Sequence, residues 1–214
     1  MSFMTMLSRK FELPKPNEAL PGRSERVCPY DKHAKLGRPL LPPYPDSYRS
    51  VILGMGSFWA AEALFWSLQG IYVTAVGFSG GHTPNPTYNE VGTGRTGHAE
   101  VVQVVYDPDL IALEDILKIF WEGHNPTQGM RQGNDVGTQY RSLVLVDRQD
   151  DLEAAAAAKE RYQRTLNEAG VKSTITTVID VQSEFYFAED YHQQYLIKNQ
   201  GADKAVRGLQ VPFE

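Results

Sequence analysis

Val51-Ile52-Leu53-Gly54-Met55-Gly56-Ser57-Phe58-Trp59 is the stretch from which the rest of the chain can be laid out. Three aliphatic residues read as a short buried strand, two glycines permit a tight turn, and Phe58 to Leu68 has the apolar spacing of a helix. Ser57 is then a small polar residue at a helix N-terminus, the place where a nucleophile belongs. Unpaired backbone N–H groups and the positive end of the helix dipole favour an anion there. A thiol in that position would fall below its ordinary pKa of about 8.5, whereas a hydroxyl is a far weaker acid and gains little. The geometry suits cysteine better than serine.

Downstream of this stretch, strand and helix patterns alternate. The spacing predicts strands over 51–55, 71–78, 99–106, 142–146 and 174–181, and helices over 58–68, 113–123 and 150–169. Leu113, Ile116, Leu117 and Phe120 mark one face of the second helix; Leu152, Ala155, Tyr162 and Leu166 mark one side of the third, which Gly170 stops. Loops rich in Gly and polar residues fill 79–97 and 124–140; a loop as long as the second is usually functional or disordered, and its composition alone reads first as solvent exposure. This order predicts an α/β (α+β) two-layer sandwich, a mixed β-sheet covered by helices, with a split-βαβ, ferredoxin-like core.

Upstream, residues 11–48 hold eight of the 13 prolines and no sustained period, which predicts an extended or partly disordered arm. The expected organisation is an N-terminal extension over 1–48, a catalytic domain over 49–199 and an irregular tail over 200–214. At 214 residues and 42% apolar composition the chain can bury a core of its own. A net charge of −5 argues against nucleic acid or an anionic membrane as partner. No apolar run approaches the roughly 20 residues that span a bilayer. The first ten residues have a slight organelle-targeting character without the core of a secretory signal. One cysteine, Cys28, forms no internal disulfide, so a reducing, cytoplasmic setting is expected, with an organelle as the alternative.

Neither H-E-x-x-H nor C-x-x-C is present, and Gly92-Thr93-Gly94-Arg95-Thr96-Gly97 lacks the Lys-Ser/Thr ending of a phosphate loop. Glu189, Asp190 and His192 cluster in sequence, where they either ligate a metal or bond the loop to itself. No metal and no cofactor is expected.

Gly54-Met55-Gly56-Ser57-Phe58-Trp59 is followed by Ser79-Gly80-Gly81, Asn85-Pro86-Thr87-Tyr88, Thr96-Gly97-His98-Ala99-Glu100, Gly129 to Asp135, Gly137-Thr138-Gln139-Tyr140-Arg141 and Tyr191-His192-Gln193-Gln194-Tyr195. Together these blocks resemble the A-type peptide-methionine (S)-S-oxide reductases, from about residue 51 to residue 199, with a weaker echo in Ala19-Leu20-Pro21-Gly22-Arg23. In that family the first block reads G-C-F-W, which puts Ser57 at the position of the nucleophilic cysteine. The resemblance implies that Glu100 bonds and protonates the sulfoxide oxygen, which at neutral pH requires a carboxyl buried enough to hold its proton. It implies that Tyr88 and Tyr140 share that oxygen, that Phe58 and Trp59 line the pocket for the S-methyl group, and that Asp135 and Tyr195 help position and enclose the substrate. His192 is either catalytic or a satisfied structural histidine.

The family cycle leaves a cysteine sulfenic acid that a second thiol resolves, with thioredoxin or another thiol reductant restoring the enzyme. Gly92 stands where many members carry a cysteine, and residues 200–214 contain none, so the recycling thiols are missing; Cys28 on the arm is the one thiol left to consider for that role. Three readings of Ser57 follow. It is a Cys→Ser or selenocysteine→Ser replacement in a reductase; or it belongs to a non-catalytic module that binds oxidised methionine; or it serves a serine enzyme of another kind. The third lacks the G-x-S-x-G elbow. The expected partners are methionine sulfoxide, free or in peptides, and a thiol reductant, acting on a monomer.

Overall fold

In chain order the regular elements are β1 (Arg49–Met55), α1 (Phe58–Ala63), β2 (Ile71–Ser79), α2 (Tyr88–Gly92), β3 (Ala99–Tyr106), α3 (Leu113–Gly123), β4 (Arg131–Gln132), β5 (Asp135–Val136), β6 (Ser142–Val146), α4 (Gln149–Glu168), β7 (Val178–Val181), β8 (Tyr186–Phe187) and α5 (Tyr195–Lys198). They come from a computed structural model that describes residues 11–30, 32–200 and 207–214. The first ten residues, for which a targeting character is expected, lie outside that range.

Six strands form one sheet in the order β7-β6-β1-β3-β2-β8. β3 lies antiparallel between β1 and β2, so the β1-α1-β2 crossover is split by an inserted strand. β6 closes the other side of β1 antiparallel, and β7 adds parallel to β6, which makes the sheet mixed. This is the split-βαβ sandwich that the alternation predicts.

Strands buried on both faces lose the polar alternation of half-exposed strands. Val51, Leu53 and Met55 point to one face with Val102, Val104, Tyr106, Val144 and Val146, and there they meet α1, α3 and α4 through Phe58, Phe65, Phe120, Trp121 and Tyr162. Ile52, Val73, Ala75, Val101, Val105 and Leu145 point to the opposite face. Among the described residues no helix packs on that side. Leu40, Tyr44 and Tyr48 of the proline-rich arm pack there, together with Phe185 and Phe187. Arm residues between 11 and 48 form no strand beyond an isolated bridge, Lys32 to Pro39, among the described residues.

Several element boundaries depart from the spacing. α1 stops at Ala63 because residues 64–68 tighten into i→i+3 turns, with Leu64 N–H donating to Ala61 O, Phe65 N–H to Glu62 O and Leu68 N–H to Phe65 O. The 79–97 loop contains α2. The 124–140 loop contains the β4–β5 hairpin and a 3₁₀ turn over Thr138–Tyr140. Strand pairing in 174–181 begins only at Val178, because Ile175 N–H is taken by Gln163 Oε1 and Thr176 N–H by Pro126 O. Residues 207–214 have no regular structure, yet Phe213 is buried against Tyr162. Among the described residues no helix is long and apolar enough to cross a membrane.

Candidate active site

Ser57 follows the turn after β1 and caps α1, its carbonyl accepting Ala61 N–H at 3.2 Å, with no side-chain capping bond. The turn needs glycine at position 56: its φ is +90°, and an added Cβ would stand 2.6 Å from Gln132 Cβ on β4. The β4–β5 hairpin therefore sits over the turn that presents Ser57.

Glu100, on β3, is 3% exposed, and its Oε2 accepts Phe58 N–H at 3.1 Å. That bond sets the carboxyl against the first residue of α1, one position from Ser57. Glu100 also borders a solvent-open cavity shared with Tyr88 and Gly92 of α2, Asn134 and Asp135 of the hairpin, and Tyr140 of the 3₁₀ turn. Burial, with the Glu100 charge beside it, pushes the Tyr88 phenol up to about 12. The same causes push Tyr140 up. Both phenols are thus O–H donors at any physiological pH. A Cβ at Gly92 would meet nothing within 4 Å, so the cavity has room for a side chain there.

Beside the cavity stands an aromatic cluster. Trp59 stacks on Tyr195 with ring centroids 4.1 Å apart and planes 14° from parallel. Phe58 is fully buried and lies 6.1 Å from both Trp59 and Tyr88. His192 holds this group in place: Trp59 Nε1–H donates to its Nδ1 at 3.0 Å. Burial lowers His192 to about 4, so the ring is neutral, and the bond to Nδ1 puts its hydrogen on Nε2. Nε2 faces Glu189 Oε2 at 3.9 Å, while Glu189 Oε1 accepts Tyr88 N–H at 3.1 Å. Asp190 Oδ1 accepts Tyr30 N–H. Glu189, Asp190 and His192 thus bond loops and aromatics, and among the described residues no group of three or more His, Cys, Asp or Glu is placed to hold a metal.

The fold therefore brings Ser57, Phe58, Trp59, Tyr88, Glu100, Asp135, Tyr140 and Tyr195 to one end of the sheet, from six separate segments. Cys28 is exposed on the arm between Arg26, which pairs with Glu184, and Tyr30, which bonds Asp190. Arg141 has a part that the sequence reading assigned to nothing. Its guanidinium, 4% exposed, donates to Thr138 O, Gly80 O and Gly97 O and so pins the 3₁₀ turn carrying Tyr140 to the 79–97 loop. α2 also had a legible signal, Thr87-x-x-Glu90. Thr87 Oγ1 accepts Glu90 N–H, and Glu90 Oε2 accepts Thr87 N–H, a reciprocal capping box that starts α2 at Tyr88.

The architecture and the end of the sheet together define a class: a split-βαβ α/β protein with a carboxyl and two phenols on one cavity, beside a stacked aromatic cluster at the start of its first helix. Known proteins make the class particular. The family model for peptide methionine sulfoxide reductase matches residues 49–210. A peptide methionine sulfoxide reductase MsrA of Agrobacterium fabrum is 53% identical over 211 residues, spanning 99% of this chain and 98% of its own length. The solved structure of methionine sulfoxide reductase A of Corynebacterium diphtheriae agrees with a TM-score of 0.82 at 40% identity, covering 94% of this chain and 99% of that one. Mxr1 from Saccharomyces cerevisiae in reduced form agrees at 0.69 and 34% identity, covering 77% and 92%. The chain belongs to the peptide methionine sulfoxide reductase family.

Proposed function

We propose that this chain recognises the S epimer of methionine sulfoxide, free or in a peptide, through a complete reductase pocket that serine at position 57 leaves unable to turn over. The observation that carries the reading is the Glu100 carboxyl, buried, bonded to Phe58 N–H and bordering one cavity with Tyr88 and Tyr140. Reduction of a sulfoxide needs a soft nucleophile at sulfur, a proton for the departing oxygen and an apolar seat for the methyl group. Glu100 and the two phenols converge on the oxygen, Phe58, Trp59 and Tyr195 seat the methyl, and Asp135 at the cavity rim positions the peptide.

With a thiol at position 57, its thiolate would bond to the substrate sulfur while the Glu100 acid protonates the oxygen. Two electrons pass to the substrate, methionine leaves, and the oxygen ends on the new sulfur as a sulfenic acid. A second thiol then displaces water to form a disulfide, which a dithiol such as dithiothreitol or thioredoxin reduces. The Ser57 hydroxyl offers no comparable anion near neutral pH, so the cycle stops at the bound sulfoxide.

The test compares methionine sulfoxide reduction by this chain and by its Ser57→Cys variant with dithiothreitol as reductant. Activity in the variant alone, with binding of the S epimer by both, is the expected result. Inactivity of both despite tight binding would replace the reductase by a recognition module.

A further inference from the structure

A second buried carboxyl lies at the far end of α1. Glu62 is three residues beyond Trp59 on the same helix and has no exposed surface. Its Oε1 accepts Thr74 Oγ1–H at 2.9 Å and Gln194 Nε2–H at 2.8 Å, and its Oε2 accepts Gln194 N–H at 2.9 Å. Three donors on two oxygens describe a site built for the anion. The relay continues outward. Thr74 Oγ1 gives its hydrogen to Glu62, so it accepts from His33 Nε2 at 2.9 Å, and His33 Nδ1 accepts the backbone N–H groups of Lys35 and Leu36. Every bond in the chain His33–Thr74–Glu62 therefore has one direction.

Gln194 is where this cluster reaches the pocket. It adopts a left-handed conformation, φ +48° and ψ +45°, which costs a side-chain-bearing residue energy unless its surroundings hold it. Glu62 holds both its backbone N–H and its side-chain amide, and Ala34 N–H of the arm bonds its Oε1 at 3.0 Å. The next residue is Tyr195, whose ring is stacked on Trp59. The path Trp59, Glu62, Gln194, Tyr195 and back to Trp59 is a closed ring of one helix turn, two hydrogen bonds, one peptide and one stack.

We propose that Glu62 is a positioning residue for the aromatic cup: through Gln194 it sets Tyr195 against Trp59, and His33 and Thr74 tie that setting to the N-terminal arm. The proposal rests on the reading of Trp59 and Tyr195 as the seat of the sulfoxide methyl group. Loss of the Glu62 charge would turn one accepting oxygen into a donor opposite a donor and release Gln194. The charged groups that act on this cluster are Lys35 on the arm and Lys198 on α5. Burial pushes Glu62 up to about 7 against the bonds from Gln194 and Thr74 and the Lys198 charge, while burial holds His33 and His192 down to about 4. Near neutrality, Glu62 is therefore the member of the cluster that titrates.

The experiment labels the chain with 5-fluorotryptophan, assigns the Trp59 signal among the three with Trp59→Phe, and follows it by fluorine NMR across neutral pH. The Trp59 signal is expected to shift with a midpoint near 7, to be flat in Glu62→Gln, and to have a higher midpoint in Thr74→Val, where one bond that favours the anion is gone. Affinity for a peptide carrying the S-sulfoxide should follow the same curve, weaker on the acid side by about threefold or more. A Trp59 signal that ignores pH, or that still titrates in Glu62→Gln, would overturn the proposal. Should Glu62→Gln fail to fold, Thr74→Val decides alone, and an unmoved midpoint overturns it. A Trp59 signal that titrates as expected in a chain with no affinity for the sulfoxide upholds the clamp and defeats the substrate reading instead.

Discussion

Glu100 meets the start of a helix of six residues and Glu62 lies near its end, and both are removed from solvent, yet their surroundings differ. Glu100 comes from β3 to the first N–H of α1 and borders an open cavity between two phenols. Glu62 lies within α1, enclosed by Thr74, Gln194 and His33. Burial alone does not separate them. What separates them is that Glu100 lines a cavity open to solvent while Glu62 is enclosed by donors: the first arrangement suits proton transfer, as proposed above, and the second suits placement.

The largest effect is expected from Glu100→Gln in the Ser57→Cys background. The amide keeps an acceptor for Phe58 N–H but has no acid proton, so kcat should fall by about 10²–10⁴ with KM and the urea midpoint little changed. Equal losses in KM and stability would make Glu100 an anchor like Glu62. Glu62→Ala should do the reverse in the chain as it stands, costing about 3 kcal/mol or more in urea unfolding because three buried donors lose their acceptor. Tyr195→Ala removes the stacked face from Trp59 and should weaken sulfoxide binding about tenfold by calorimetry, without a comparable loss of stability.

Acid titration sharpens the contrast further. Burial holds His33, His98, His124 and His192 down to about 4, against about 6.5 in an unfolded chain. Between those values the unfolded chain binds more protons, so stability is lost as pH falls from about 6.5 toward 4. Glu62, raised from 4.5 to about 7, works against them: over that window the folded state holds the extra proton, and its contribution weakens as pH rises. Four histidines outweigh one glutamate, so urea midpoints should drop on acidification, and Glu62→Gln should make the drop steeper. The smallest effect belongs to Arg26→Ala. Its ion pair with Glu184 is solvent-exposed on both sides, so stability should change by no more than about 0.5 kcal/mol.

β3, α3 and β6 are legible to the residue, because each is an apolar run or stripe ended by turn chemistry such as Asp107-Pro108. The strand end at 174–177 is not, because its backbone bonds are diverted to Gln163 and Pro126, partners that a local pattern does not contain. Glu100 was legible through the block around it. Glu62 was not, although a lone charge among Ala60, Ala61, Ala63 and Leu64 is the mark of a buried, bonded carboxyl. His33 carried no mark at all in its proline-rich arm, since its role depends on Thr74, 41 residues away.

Gln194 reaches Glu62 across 132 positions of chain. During synthesis the helix that carries Trp59 and Glu62 leaves the ribosome on the order of ten seconds before its clamp exists. Through that interval the growing chain can pair β1 with β3 and then β6, but it carries an unsealed carboxylate and one half of an aromatic cup. The Trp59–Tyr195 stack is thus among the last parts of the molecule to be assembled, and a chain released before residue 193 would keep all of the strands and lack the stack.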